Sequence, residues 1–361
     1  MLCLVTGASG YIGGRLVPRL LAAGHRVRCV VRNPDKLRDT PWRSDVEVVR
    51  GDVLDEESMR DACRGVDVVY YLVHSLSERR FATLDRRAAL ITSQAARGAD
   101  VGRIVYLGGV HPDEAELSDH LGSRAEVAQI LLRSGVPTAV LQAAVIIGSG
   151  SASFEMLRYL TERLPVMVTP AWVRNRVQPI AVRDVLHYLA SATRLPGHIN
   201  RTFDIGGPAV LTYAEMMQRY AAVAGLPKRK MVPVRVLSPK LSSHWINIVT
   251  PVPKSIGAPL IESLVHEAVC SEHDIDEHIE PPAGGLTGYE RAVELALHRV
   301  RDAEVETRWS DASPADAPAD PLPTDPEWAG GSAYTDTREQ RSAVPAAAVW
   351  RVIEGIGGAR G

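Results

Sequence analysis

The sequence contains little lysine, little phenylalanine and no long apolar run. Only five of its 41 basic residues are lysines, and three of its 361 residues are phenylalanines. No apolar stretch approaches the roughly 20 residues that cross a bilayer, so the sequence predicts no integral membrane segment. Its net charge of −2 supplies no basic surface, and we therefore expect no nucleic-acid partner.

Cysteine is scarce as well, and its placement is typical of a reducing compartment. The four cysteines are Cys3, Cys29, Cys63 and Cys270, and the first two fall inside apolar runs that predict buried strands. Cysteines so placed are usually reduced core residues of a cytosolic protein. Met1 leads directly into the first apolar run, without the span that a cleavable signal peptide needs. The sequence thus predicts a cytoplasmic protein.

The beginning of the chain carries a glycine-rich turn between a strand and a helix. Residues 2–5 form an apolar run suited to a strand buried in a parallel sheet, and helical spacing of apolar residues starts at Ile12. Gly7, Gly10 and Gly13 lie between these elements. Glycine lets the turn fold tightly and touch a diphosphate, which the free N–H groups and dipole of the helix then stabilise. The candidate cofactor-binding residues are Gly7, Ser9, Gly10, Tyr11 and Ile12, and the alternative is a tight turn without a ligand.

Strands and helices alternate after this turn. Apolar runs predict further strands at residues 25–31, 46–49, 66–73, 103–107 and 138–147. Helices are predicted over residues 81–97 and after the N-cap residues Ser118 and Asp119. This alternation predicts an α/β fold with a doubly wound parallel sheet of the Rossmann type.

The residue at the end of the second strand distinguishes the two nicotinamide dinucleotides. An acidic residue there hydrogen-bonds the ribose hydroxyls of NAD, whereas an arginine accommodates the 2′-phosphate of NADP. This chain has Arg32, with Lys36 one turn later, and the nearest carboxylate, Asp35, follows a proline in a position typical of a helix first turn. The alternative for Arg32 is a solvated surface residue. We expect NADP as the cofactor, with NAD as the alternative.

A family resemblance starts with the run Thr6-Gly7-Ala8-Ser9-Gly10-Tyr11-Ile12-Gly13. Its Gly-x-x-Gly-x-x-Gly spacing resembles that of the extended and atypical short-chain dehydrogenase/reductases. The blocks between residues 148 and 208 resemble NmrA-like redox sensors and relatives of the accessory NAD(P)-binding subunit of respiratory complex I. The resemblance covers most of the chain up to residue 300. It implies a Rossmann fold with bound NAD(P) and a small C-terminal substrate lobe.

Two further stretches are expected beside the cofactor. In the family an aspartate after the third strand faces the adenine ring, and Asp52, followed by Val53, matches it. The alternative for Asp52 is a turn acid. Ligands of open α/β sheets bind beyond the carboxyl ends of the strands, so Leu72 and His74 should pass beside the ribose. The alternative for His74 is a purely structural histidine.

The resemblance also implies a catalytic pair that this chain lacks. Reductases of the family use Tyr-x-x-x-Lys on the helix after the fifth strand, but no lysine occurs between Lys36 and Lys228. The matching positions, which share one helix face, hold His120 and Arg124. A neutral His120 beside Arg124 could exchange a proton weakly, and the alternative is a solvated face with Arg124 paired to acids. The catalytic residues are therefore left open, with these two as the candidates.

Four segments are predicted along the chain. Residues 1–228 form the NAD(P)-binding Rossmann domain, whose inserts contribute to the substrate lobe, and residues 229–302 form the small C-terminal lobe. That lobe includes Trp245 and a helix bearing Ile256, Leu260, Leu264 and Val265. Residues 303–333 predict a linker, because 311–326 are rich in proline and aspartate. Residues 334–361 resemble the truncated beginning of a START-like helix-grip domain.

These patterns leave the reaction undecided. The first hypothesis is an NADP(H)-dependent oxidoreductase of unknown substrate, the second a non-catalytic NAD(P)-binding redox sensor, and the third a fusion in which the START-like domain delivers an apolar ligand. The partner is in each case a small molecule, and the oligomeric state is open. A metal site is not expected, since the spacing of His266, Cys270, His273 and His278 matches no zinc pattern.

Overall fold

The fold is that of a computed structural model. It describes residues 1–38, 40–74, 81–111, 117–233, 262–301, 307, 344–346, 348 and 350. The chain divides into two compact units, Met1–Asp325 and Pro326–Gly361. Almost all of the second unit lies outside the described residues, and the fold below is that of the first.

The described part contains thirteen strands and eight α-helices. The strands are β1 (Leu2–Thr6), β2 (Arg26–Val31), β3 (Glu47–Arg50), β4 (Val68–Tyr71), β5 (Arg103–Gly109), β6 (Thr138–Ala143), β7 (Ile146–Ile147), β8 (Val166–Thr169), β9 (Arg176–Val177), β10 (Ile180–Ala181), β11 (Arg201–Ile205), β12 (Leu211–Thr212) and β13 (Lys230–Pro233). The helices are α1 (Tyr11–Ala22), α2 (Glu56–Cys63), α3 (Phe81–Gly98), α4 (Asp119–Leu132), α5 (Ala152–Arg163), α6 (Val182–Ser191), α7 (Tyr213–Val223) and α8 (Tyr289–Arg301).

Seven of the strands form one parallel sheet in the order β11-β6-β5-β4-β1-β2-β3. The direction of winding reverses between β1 and β4, so the chain leaves these two neighbouring strands toward opposite faces of the sheet. This arrangement confirms the predicted doubly wound α/β fold. It also locates the crevice for a ligand at the carboxyl ends of β1 and β4.

Both faces of the sheet are covered by helices, which explains why its strands are continuous apolar runs. Alternate residues of β1 enter different cores: Cys3 joins the cluster that contains Leu16 of α1 and Leu186 of α6. Leu4 joins the cluster on the other face, which contains Met59 of α2. All of these side chains are buried.

Two predicted strands end earlier than their apolar runs. The run at 138–147 is interrupted after Ala143, and Ile146–Ile147 pairs instead with Ile180–Ala181 outside the main sheet. The fourth strand ends at Tyr71, because the following residue leaves the ladder and its N–H donates to the Thr6 hydroxyl at 3.1 Å. Apolar character therefore predicted the strands but overestimated their length, since the loops at this edge are also half-buried.

A third apolar core is separate from the two on the faces of the sheet, and we call the part of the chain around it the lobe. It takes Phe154 from α5, Met216 and Tyr220 from α7, and Val293 from α8. Residues before and after position 229 thus both contribute to this core. The expected helix bearing Ile256 and Leu260 lies outside the described residues, as does Trp245, whereas Leu264 belongs to this core.

The described part of the chain holds no helix that is both long and apolar enough to cross a membrane. The predicted linker at 303–333 lies outside the described residues apart from Thr307, which is buried against α1. The segment compared with a START-like domain, 334–361, also lies outside them except at five positions.

All four cysteines are free, and we expect them to react slowly with thiol reagents in the folded protein. Burial raises the pKa of Cys3 and Cys63 to about 11 and that of Cys29 and Cys270 to about 12, so the reactive thiolate is scarce at about pH 8. A colorimetric thiol titration should show four groups in denaturant and no rapid phase without it. Cys270, which is half-buried, is the residue expected to react first, and a fast reaction of the other three would contradict this packing.

Candidate functional site

The glycine turn between β1 and α1 forms the floor of the site. Gly7 has a φ of +72°, a left-handed conformation that favours glycine, and its carbonyl accepts a hydrogen bond from the Gly10 N–H at 2.9 Å. A Cβ on Gly7 would lie 2.7 Å from the Leu72 carbonyl oxygen, and one on Gly13 would overlap the Gly7 carbonyl oxygen. The glycines thus allow β1, α1 and the loop after β4 to meet at one point, with the N-terminus of α1 facing the crevice.

A cavity of about 370 Å³ lies above this turn at the carboxyl ends of β1, β2 and β4. It is lined by all ten residues that the sequence named as cofactor contacts, namely Gly7, Ser9, Gly10, Tyr11, Ile12, Arg32, Asp52, Val53, Leu72 and His74. Its wall also includes residues that we did not name, among them Val31, Gly51, Leu54, Ala88 and Tyr106. Gly51 and Leu54 follow the end of β3, where the strand-end rule would have found them, whereas Val31 and Tyr106 lie within strands and Ala88 lies on α3.

Arg32 lies at the end of β2, exposed and without an ion pair to any described residue. The nearest acid, Asp35, is in the first turn of the 3₁₀-helix Pro34–Leu37, and its carboxylate pairs with Arg38 at 2.6 Å. The positive charge at the rim of the cavity is therefore not neutralised from within the described structure. A carboxylate suited to the ribose hydroxyls of NAD is missing from this strand end.

Asp52 is a turn acid that also lines the cavity. Its Oδ1 accepts a hydrogen bond from the Leu54 N–H at 2.9 Å, which is the local contact of an Asx turn. The residue also lines the cavity, as does Val53 beside it. The turn therefore holds Asp52 in a fixed position at the end of the crevice that is remote from α4.

His74 is held by a carboxylate from the neighbouring helix α3. Its Nδ1 lies 2.7 Å from Oδ2 of Asp85, whose side chain is 4% exposed. The other ring nitrogen, Nε2, is buried and has no hydrogen-bond partner among the described residues. Burial lowers the pKa of His74, the hydrogen bond to Asp85 opposes this, and Arg124 lowers the pKa further.

His120 and Arg124 lie on the inner face of α4. The His120 ring is buried, its Nδ1 is 2.9 Å from the Ser263 hydroxyl, and its Nε2 has no partner within the described structure. Burial, followed by the charge of Arg124 and by His74, lowers the pKa of His120 to about 2. Arg124 donates from Nη2 to the Leu107 carbonyl oxygen at 2.8 Å and has no described ion pair. This face is therefore not the solvated surface that we considered as the alternative.

A second cavity of about 230 Å³ adjoins the first, and Tyr11 and Arg124 line both. Its wall is mostly apolar and combines residues of β5 and α4, such as Gly108 and Leu121, with six residues of the lobe core: Leu157, Leu160, Trp172, Tyr213, Met216 and Met217. The Trp172 and Tyr213 rings meet edge to face, 5.9 Å apart. The six residues from the lobe core were not identified from the sequence, because they come from three separate elements that only this core brings together, namely α5, the 3₁₀-helix Ala171–Arg174 and α7.

The residues considered as possible metal ligands do not form a cluster among the described residues. No three histidine, cysteine, aspartate or glutamate side chains come together as metal ligands within the described ranges. His266 lines the apolar cavity, and the Cys270 N–H donates to Gln178 Oε1 at 3.1 Å. The His278 ring lies 5.8 Å from that of Phe203.

Comparison with known proteins agrees with this geometry. A family model described as NAD(P)H-binding matches residues 7–144, which include the glycine turn and β2 to β6. The chain is 30% identical over 233 residues to (4-alkanoyl-5-oxo-2,5-dihydrofuran-3-yl)methyl phosphate reductase of Streptomyces griseus, covering 63% of this chain and 75% of that protein. This chain belongs to the NAD(P)H-binding reductase family. Its dinucleotide domain is of the NmrA-like, atypical short-chain dehydrogenase/reductase type, as the resemblance implied.

Two other relatives extend the comparison. NAD(P)H azoreductase of Xenophilus azovorans is 28% identical over 230 residues, which cover 63% of this chain and 75% of that protein. The solved structure of Citrobacter sp. triphenylmethane reductase complexed with NADP(H) superposes with a TM-score of 0.64 at 24% identity, covering 82% of this chain and all of that one. The similarity to the triphenylmethane reductase structure is a similarity of fold.

Proposed function

We propose that this protein is an NADP(H)-dependent reductase that transfers a hydride to a small, largely apolar acceptor. The observation that carries this proposal is the junction of the two cavities at Tyr11 and Arg124. A dinucleotide extending from the glycine turn along the first cavity brings its reactive end toward this junction. A substrate in the second cavity then lies beside it, away from bulk water.

The residues of the first cavity fit such a cofactor. The glycine turn and the N-terminus of α1 hold the diphosphate, and Arg32 holds the 2′-phosphate of NADP. Asp52 and Val53 contact the adenine end, while Leu72 and His74 lie beside the ribose nearer the substrate. The reduced nicotinamide supplies a hydride when it is bound.

The second cavity favours an uncharged acceptor, because most of its wall is aliphatic, aromatic or methionine. Its polar groups near the junction include His120 and Arg124. Arg124 Nε is buried without a hydrogen-bond partner in the described ranges, so this N–H is available to a substrate oxygen or nitrogen. Arg124 would thus stabilise negative charge as it develops on the acceptor, with His120 as a neutral hydrogen-bonding neighbour.

Steady-state oxidation of NADPH in the presence of quinones, azo compounds and carbonyl compounds tests this proposal. We expect at least one apolar acceptor to be reduced, and we expect Arg124→Met to lower kcat for it by about a hundredfold, since one donor to developing charge is removed. Arg133→Met, at the end of the same helix and outside both cavities, is the matched control and should retain full activity.

A non-catalytic redox sensor is the second candidate. It is favoured by the absence of a Tyr-x-x-x-Lys pair, since no lysine occurs between Lys36 and Lys228. A sensor should bind NADPH tightly and show no oxidation with any acceptor of the panel. In that case the unaltered protein would have no turnover for Arg124→Met to lower, and the reductase proposal would be abandoned.

A further inference from the structure

A half-buried and a buried imidazole, those of His74 and His120, meet near the junction of the cavities. The ring centroids of His74 and His120 are 5.2 Å apart, and the rings are inclined by 33°. His74 lines the first cavity and His120 the second. Each has an Nε2 without a partner among the described residues, which is rare for buried polar atoms and marks a place where a ligand atom can be bound.

Their Nδ1 partners differ in charge. His74 faces the carboxylate of Asp85, which is 3% exposed and whose Oδ2 also accepts from the Ser123 hydroxyl at 3.5 Å. A carboxylate requires a proton on Nδ1, so Nε2 is left to exchange a proton with a ligand. His120 faces only the neutral Ser263 hydroxyl. A positive charge is therefore stabilised locally on His74 and not on His120.

We propose that His74, oriented by Asp85, is the catalytic residue that exchanges a proton with the end of the substrate that reaches the first cavity, and that His120, at the family's tyrosine position, is not. This inference rests on the proposed reductase function. It replaces the missing Tyr-Lys pair with an aspartate–histidine pair carried by α3 and by the loop after β4.

The charges around the two rings support the assignment of the proton exchange to His74 and not to His120. The described charged or titratable groups that face His74 are Asp85 on α3 and His120 and Arg124 on α4. Burial and Arg124 lower the pKa of His74, while Asp85 keeps its protonated form accessible. Burial and Arg124 lower the pKa of His120 to about 2, so this ring stays neutral throughout the range in which enzymes work.

The proposed reduction consumes one hydride and one proton. The acceptor gains a hydride from the reduced nicotinamide and a proton from His74. The Nε2–H bond breaks as the bond between that proton and the acceptor's oxygen or nitrogen forms. The ring is left neutral with its remaining proton on Nδ1, facing Asp85, and regains a proton from water. Since the protonated ring is the active form, reduction should accelerate as pH falls through the pKa of His74, which lies below the usual histidine range.

The test compares His74→Gln, Asp85→Asn and His120→Gln with the unaltered protein, using an acceptor that it reduces. For His74→Gln we expect kcat to fall about a hundredfold or more. We also expect the increase of kcat toward acidic pH, the acid limb of the pH profile, to disappear. For Asp85→Asn the limb should move to lower pH, because the carboxylate that raises the pKa of His74 is gone. His120→Gln should alter KM and leave the limb in place.

Two readouts do not depend on turnover. NADPH fluorescence should show affinities within about tenfold of the unaltered protein, as expected for loss of one hydrogen bond, and melting curves should confirm folding. In ¹³C-histidine NMR of the protein without cofactor, the resonance lost in His74→Gln should titrate below the ordinary histidine range and shift further down in Asp85→Asn. The resonance lost in His120→Gln should not titrate.

Three results would overturn the inference. An unchanged acid limb in His74→Gln, or a limb that disappears only in His120→Gln, rejects His74 as the proton donor while leaving the reductase proposal intact. A His74 resonance that does not respond to Asp85→Asn removes the pairing. Absence of turnover with every acceptor, despite normal NADPH binding, rejects the reductase function and this inference with it.

Discussion

Gly10→Val is expected to abolish NADPH binding and to leave the protein folded. Gly10 is the N-cap of α1 with φ −87° and ψ 174°, a conformation that valine adopts without strain, so the free energy of unfolding should change by less than about 1 kcal/mol. The valine side chain would occupy the space through which the diphosphate approaches the turn. NADPH fluorescence titration and thermal melting of the variant measure the two effects separately.

Gly13→Val is expected to lose stability as well as binding. A Cβ at this position would overlap the Gly7 carbonyl oxygen and lie 3.0 Å from the Ala8 Cα, and these backbone atoms cannot move without separating α1 from β1. We expect the free energy of unfolding to fall by about 3 kcal/mol, the upper range for overpacking.

The matched control for both is Gly122→Ala on α4, where a new Cβ meets nothing within 4 Å. It should stabilise the helix by about 0.5–1 kcal/mol and leave NADPH affinity unchanged. Normal NADPH binding by Gly10→Val would mean that this turn is not the nucleotide site. A Gly13→Val protein as stable as the unaltered one would contradict the tight packing of β1 against α1.

Arg32→Ala is expected to reduce the preference for NADPH over NADH by ten- to a hundredfold. The side chain lies at the carboxyl end of β2 with no ion pair to another described residue, so its charge is available to the 2′-phosphate. A charge-assisted hydrogen bond contributes about 1.5–3 kcal/mol, which corresponds to this change. The Kd values of both dinucleotides for the variant and the unaltered protein give the preference directly.

Arg26→Ala provides a control of equal charge on the same strand. Arg26 is exposed and begins β2, at the edge of the sheet opposite to the ligand crevice, so its removal changes the net charge without touching the cavity. The preference for NADPH over NADH should be the same in Arg26→Ala as in the unaltered protein. If the unaltered protein bound NADPH and NADH equally, or if both variants lost the preference alike, Arg32 would not be a specific phosphate contact.

Most of the fold could be predicted because its signals are local. The βα switch at residues 6–13, the apolar strands and helix caps such as Ser118 each depend on a few neighbouring residues. Strand ends were less predictable, as at Ala143 and Tyr71, because half-buried loops at the ligand edge are as apolar as the strands. Right-handed crossovers give the handedness of the βαβ units, whereas the order of the seven strands was decided by the tertiary structure.

The residues of the candidate site also fall into those that the sequence could predict and those that it could not. The residues that line the first cavity at the predicted cofactor positions were identifiable, since each follows the carboxyl end of a strand and this edge is shared by every parallel strand of the sheet. The wall of the second cavity was not, because Trp172, Tyr213 and Met216 meet only through the packing of the lobe. Composition could not predict this packing, since any of the lobe's apolar residues could have filled those positions.

His74 and His120 show where local pattern ends and packing begins. The place of His74 at the ligand edge follows from the order of strands in the chain, whereas the sequence left open whether His120 lies on an inner or a solvated helix face. Their chemical difference does not follow from that order: Asp85 reaches His74 from the next helix at 2.7 Å, and Ser263 reaches His120 across 143 positions of sequence. The protonation of a buried ring depends on the charges that surround it in three dimensions, and helix packing against the sheet brings those charges together.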